Sequence, residues 1–180
     1  SLLAEPLGPS LGIQAQLPIL LAEYPFRTQQ DIADYLHLLQ DLPRYFSDLI
    51  ALEQEKSRQG VFQNDLAVDG IIRQCSAFLA DADTPESHLL HTVFQNKLQA
   101  SSLFSEAERN LCLQTHEKLL TSCVFPAYRS LSDALSSLRG KGTQNAGGLS
   151  RQEGGLSYYA YLLRSRVGVD ASPEELTRLL

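Results

Sequence analysis

The sequence predicts an all-α fold, a multi-helix domain with one long proline-kinked helix, and three observations carry that prediction. Apolar residues recur at steps of three and four along most of the chain, the spacing that keeps one face of a helix dry. The recurrences open on capping residues or proline, and several close on glycine. No stretch shows sustained period-two alternation, which leaves at most a short β-pair near a glycine-rich loop.

Residues 1–27 carry Pro6, Gly8, Pro9, Gly12, Pro18 and Pro25 and read as an irregular arm with one short helix around Leu17 to Glu23. The helices occupy 28–139. Thr28 caps the first, Asp31 sits at its positive end, and Ile32, Tyr35, Leu36 and Leu39 form its stripe. Pro43 suits the first turn of a second, with Phe46, Leu49 and Ile50 on one face and Gly60 as its stop. Asn64 or Asp65 caps a third, striped by Val68, Ile71, Ile72, Cys75, Phe78 and Leu79. Thr84-Pro85-Glu86 opens a shorter fourth through Leu89, Leu90, Val93 and Phe94. Ser105-Glu106-Ala107-Glu108 is a capping box, in which serine and glutamate satisfy each other's free amides. The series Leu120, Val124, Ala127, Leu131, Ala134 and Leu138 keeps its phase across Pro126, so one long helix kinked near that proline is expected. Residues 140–156 hold six glycines and read as a long loop; 157–180 carry C-terminal helices, one from about Ser157 to Arg166 stopped by Gly168 and one opened by Ser172-Pro173.

A chain of 180 residues suits one domain, 1–180, and with 43% hydrophobic residues it can bury a sizeable core. A net charge of -6 and the absence of any Lys/Arg run argue against a nucleic-acid binder, which needs a basic face. No apolar run approaches the roughly 20 residues of a membrane span, and no basic segment precedes an apolar one at the start. The chain contains no methionine, even at position 1, and its last helix runs only about two turns before Leu180, so an internal piece of a larger protein is expected. Cys75, Cys112 and Cys123 read as small apolar residues; the last two share one helix, roughly 16 Å apart at 1.5 Å per residue, beyond disulfide reach.

Candidate chemistry is thin. His88 and His91 lie on one helical side, but two ligands do not make a metal site, and His-Glu-x-x-His is absent. His37 and His116 read as helix-surface residues, and the carboxylates as solvent-facing. Gly140-Lys141-Gly142-Thr143 fails as a phosphate loop, because Leu135 stands where that pattern needs glycine and a helix precedes it. No Gly-x-Ser-x-Gly elbow is present. Tyr158-Tyr159-Ala160-Tyr161 follows the glycine loop directly. Helical spacing points to two of the rings in the core, Tyr158 with Tyr161 or Leu162; the other reading turns one hydroxyl to a cleft shaped by the loop, which makes Tyr158 and Tyr159 the candidate substrate-binding residues.

Three segments together carry a resemblance. The first is Glu5-Pro6-Leu7 followed by Gly12-Ile13-Gln14-Ala15-Gln16-Leu17-Pro18 through Tyr24. The second runs from Asp34-Tyr35-Leu36 through Leu42-Pro43-Arg44-Tyr45-Phe46 to Asp69-Gly70-Ile71-Ile72. The third is Gly147-Gly148-Leu149, Tyr158-Tyr159, Leu162-Leu163-Arg164 and Ser172-Pro173-Glu174-Glu175-Leu176. In order and spacing the set resembles a bacterial family known as domain of unknown function 885, over nearly the whole chain. It departs between Leu149 and Tyr158, where Ser150 to Ser157 replaces a Pro-Gly turn. The resemblance implies a longer, mostly helical parent chain similar to zinc metallopeptidases, whose later half carries a His-Glu-x-x-Pro-Gly-His stretch that is absent here. It thus implies zinc in the parent chain and no cofactor or catalytic residue in these residues. The expected role is a non-catalytic helical section forming part of a peptide-binding cleft, with the rest of the parent chain and a peptide as partners. A helical binding or scaffold module without hydrolysis is the reading from a different class.

Overall fold

In the computed structural model, residues 2, 4–142 and 153–179 are described, and among them every regular element is helical. The elements are α1 (Ile13–Glu23), α2 (Gln29–Arg58), α3 (Asp65–Phe78), α4 (Leu89–Ala100), α5 (Glu106–Leu119), α6 (Phe125–Leu138), α7 (Gly155–Leu162) and α8 (Pro173–Leu179). No strand occurs among the described residues, and most of the glycine-rich loop, 143–152, lies outside them. No helix among the described residues is long and apolar enough to cross a membrane.

The arm is more helical than its prolines suggest. α1 starts at Ile13 and runs through Pro18. A proline there withdraws the amide that would bond the carbonyl of Gln14. That carbonyl accepts the buried Tyr128 hydroxyl instead, at 3.0 Å, so the missing bond is replaced by one that ties α1 to α6.

Pro43 does not open a second helix; it lies inside the single 30-residue α2. Ile32, Tyr35, Leu39, Leu42, Phe46, Leu49, Glu53 and Lys56 are buried along it, an unbroken stripe that crosses the proline in phase. The packing of that stripe outweighs the hydrogen bond lost at one position. Thr28 opens α2 with a full capping box, and the Arg27 and Thr28 amides hold the Asp31 carboxyl below the usual carboxylate range.

Asn64 caps α3. A 3-10 turn, Pro85–Ser87, precedes α4, so the Thr84-Pro85 signal marks that turn and His88 is the true cap of the helix. The capping box at Ser105 starts α5 as the sequence predicts. α5 and α6 form one continuous rod joined by a π-turn, Leu120–Val124, immediately before Pro126. The extra residue moves the helix past the proline, and Phe125 reaches back to the carbonyl of Leu120. A second π-turn, Leu163–Val167, follows α7 and ends on Gly168 at φ 77°, a left-handed conformation suited to glycine.

α2 and the α5–α6 rod run side by side in the same direction: Tyr35 meets His116 and Phe46 meets Tyr128. α3 packs on α6, α1 on α3 and α4, and α4 on α5. The core between them includes Leu39, Phe62, Val68, Ile71, Leu131 and Leu135.

Candidate functional site

Gly154, left-handed at φ 72°, turns the chain out of the glycine-rich segment into α7. The helix carries Leu156, Tyr158, Tyr159, Ala160, Tyr161 and Leu162, so it is apolar on nearly every side. Only Gly155 and, just past its end, Leu163 are buried. Tyr158, Tyr159 and Tyr161 are 52%, 41% and 56% exposed, which corrects the expectation that two of the rings pack in the core. Among the described residues α7 meets mainly its own continuation into the π-turn, and the rings stay open to water. Tyr158 and Tyr161, one turn apart, set their ring centroids 6.1 Å apart with planes 23° from parallel, a flat aromatic surface facing water. A helix with apolar residues all round is ordinarily enclosed by other protein.

The start of the glycine segment is pinned to the body. The Gly140 amide donates to Asp65, Arg139 pairs with Asp69 at 2.9 Å, and Gly142 is buried where a side chain would strike the backbone carbonyl of Gln63. Its Gly-Lys-Gly sequence therefore serves close backbone approach, and the phosphate-loop reading has no support from this geometry.

The histidines are placed differently from the sequence reading. His88 is buried with both ring nitrogens engaged, one by the Leu90 amide at 3.3 Å and one at the Phe78 carbonyl at 3.0 Å. His91 is buried as well, and its ring centroid lies 5.8 Å from that of His116. His116, expected on a helix surface, is 0% exposed. It lies flat on Phe94 at 4.1 Å, stacks on Tyr35 and meets the Tyr35 hydroxyl at 3.1 Å. Burial pushes its pKa down to about 3, with His91 and His88 adding to the shift. The stripe on α5 needed an apolar residue at that turn, and a neutral imidazole fills it. His37 alone is exposed, on a groove of about 500 Å³ between α2 and the α5 rod that Lys118, Ser122 and Cys123 also line. Among the described residues no group of three or more His, Cys, Asp or Glu could hold a metal ion, so the residues present do not fit a zinc centre.

One buried charged cluster escaped the sequence reading, which placed every carboxylate in solvent. Glu53 and Lys56 are both 0% exposed. The Lys56 ammonium sits 3.5 Å from Glu53, 3.0 Å from Glu5 and 3.2 Å from the Ala4 carbonyl, so it ties the arm to α2. Loss of water raises the Glu53 pKa, and the nearby Lys56 charge opposes that shift. The i,i+3 spacing of Glu53 and Lys56 on the buried stripe is the signal that could have revealed them. Of the cysteines, Cys75 is buried, its thiol pushed up to about 12 by desolvation, while Cys112 and Cys123 are half-buried.

The first two segments behind the resemblance meet in space, while Gly147-Gly148-Leu149 of the third lies outside the described residues. The Gln14 amide donates to the Gly8 carbonyl at 2.6 Å and to Gln74 at 2.5 Å, and Gln74 donates to the Pro9 carbonyl at 2.7 Å. Gly70 leaves the space that Pro9 occupies; a side chain there would stand 2.8 Å from the proline. These residues lock the arm onto α3.

Among curated proteins none matches this chain. A crystal structure of a Colwellia psychrerythraea protein, named a lipoprotein, resembles it with a TM-score of 0.83 at 18% identity, over 94% of this chain and 29% of that one. At that identity the likeness shows the fold, and the chain spans less than a third of that protein's length. A family model described as bacterial protein of unknown function (DUF885) matches residues 3–179, nearly the full length, and the chain belongs to that family.

Proposed function

We propose that this chain is a non-catalytic helical section of a zinc-dependent peptidase, forming one wall of a peptide-binding cleft. The observation that carries the reading is α7, whose Tyr158 and Tyr159 lie in water on a helix apolar on nearly every side. Such a helix suits a surface completed by more polypeptide and by a bound peptide, with phenol hydroxyls free to bond a backbone carbonyl. The resemblance to zinc metallopeptidases supplies the reaction class. The metal ligands would belong to polypeptide outside these residues, since the described residues offer no group of three. The contribution of this section is shape and orientation of the substrate.

A helical binding or scaffold module without hydrolysis is favoured by the same exposed rings, because Tyr-rich apolar faces also dock proteins. The full-length protein, loaded with zinc, separates the two. Hydrolysis of a mixed peptide library that stops on chelation and returns with zinc is the expected result. A folded, zinc-loaded protein that cleaves nothing in the library would leave the scaffold reading standing.

A further inference from the structure

His116 closes a box of aromatic rings that joins four parts of the chain. Tyr24 and Phe26 come from the segment before α2, Tyr35 from α2, Phe94 from α4 and His116 from α5. The inner three rings are dry, Tyr35, Phe94 and His116 each 1% exposed or less, while Tyr24 and Phe26 are half-buried at the rim. Both His116 and its neighbour His91 carry a buried Nδ1 without a hydrogen-bond partner. A neutral imidazole tolerates one bare nitrogen, but a protonated one has N–H on both and needs an acceptor or water for each. The titratable and charged groups around the pair offer no such acceptor. α2 presents the Tyr35 hydroxyl, already engaged with His116 Nε2. α4 presents His91 itself, His88 at its cap with both nitrogens used, and Lys97, whose ammonium lies over the Phe26 ring and bonds the Ala22 and Tyr24 carbonyls. Tyr24 faces Tyr35 with its ring. On α5 itself Glu117 and Lys118 follow His116, and Cys112 stands one turn earlier. Neither Asp nor Glu is among the hydrogen-bond partners of either imidazole.

We propose that His116 is an acid-release latch: its neutral imidazole holds α4 against α2 and α5, and a proton entering that ring opens the box on the α4 side. α4 is the part able to leave. It is a 12-residue helix that packs mainly on α1 and α5, whereas α2, α3 and α6 are held together through Phe46, Phe78 and Tyr128, a set that α4 meets at its cap, where His88 lies on Phe78 and Phe125. The sign follows from linkage. A histidine whose folded pKa lies below its ordinary value contributes stability that is whole above pH 6.5 and is lost as pH falls toward the folded value of about 3. Between pH 7.5 and 5.0 one such group raises the population of any state that releases it by about thirtyfold.

Hydrogen exchange of the full-length protein at pH 7.5, 6.5 and 5.0, corrected for intrinsic rates, reads this opening directly. The expected result is an approximately thirtyfold loss of protection in 89–100 between pH 7.5 and 5.0, with α3 and α6 changing far less. His116→Phe keeps a flat ring on Phe94 and removes the titrating nitrogen, so its loss of protection in 89–100 should vanish over that range. Unchanged protection of 89–100 in the natural protein, or the same loss in the variant, would overturn the proposal. Should the variant fail to fold, the imidazole resonances of the natural protein decide instead: His116 staying neutral in the closed form at pH 5.0 supports the latch, and titration near pH 6.5 without loss of protection overturns it.

Discussion

Lys56 is the residue on which most depends for its size. Its ammonium is sealed from water, pairs with Glu53 and Glu5 and donates to the Ala4 carbonyl, so its removal strands a buried carboxylate and unties the arm. Lys56→Met should therefore cost roughly 3–5 kcal/mol in urea unfolding. Adding Glu53→Gln to that variant should recover much of the loss, because the stranded charge is gone. A loss of under about 1 kcal/mol in the single variant would place the pair in the class of surface ion pairs. His88 and His91 make a second expectation at this scale. One ring is saturated by backbone groups and the other is sealed, so the 180-residue chain should retain no stoichiometric zinc after mild chelation and dialysis. One tightly held zinc per chain by elemental analysis would contradict that placement.

At the scale of elements, caps were legible and prolines were only half so. Ser105 and Glu108 announce their box within four residues of sequence, and the structure forms both of its bonds. Ser105→Ala should lower stability by about 1 kcal/mol, measured by urea unfolding, through loss of one cap on an exposed turn. Pro126 was read correctly as lying inside a helix because the stripe keeps its phase across it. Pro43 passes the same test, with Leu39, Leu42 and Phe46 in phase on the buried face, yet its suitability for a first turn concealed the continuity of α2. Which bond replaces the one a proline removes is a tertiary matter: Tyr128 answers Pro18 from 110 positions away in sequence, and a π-turn answers Pro126 locally. His116 was misplaced for a related reason. Residue type suggests a wet histidine, while its slot on α5 faces Tyr35 and Phe94, partners that sequence spacing alone does not name. Tyr158 and Tyr161 erred in the opposite sense, since helical spacing brings the rings together but says nothing of whether the body has surface to cover them.

As a whole molecule the chain is, among its described residues, a helical body closed on itself through α6 and open at α7. Arm, α1, α2, α3 and the α5–α6 rod satisfy one another through Gln14, Gln74, Tyr128 and Lys56, whereas α7 offers its rings outward. Far-ultraviolet circular dichroism should be dominated by helix, and a strand-dominated spectrum would contradict the fold. The proposed role rests on the open side. Tyr158→Phe and Tyr159→Phe keep ring volume and remove only a hydroxyl, and both side chains are exposed, so folding should hardly register the change. Peptide hydrolysis and thermal midpoint, measured for both variants in the full-length zinc-loaded protein, test the claim most directly. A hydroxyl that bonds substrate in the transition state is worth roughly 3 kcal/mol, so a rate loss of about a hundredfold at an unchanged midpoint is expected for at least one variant. Unchanged turnover in both would remove α7 from the cleft.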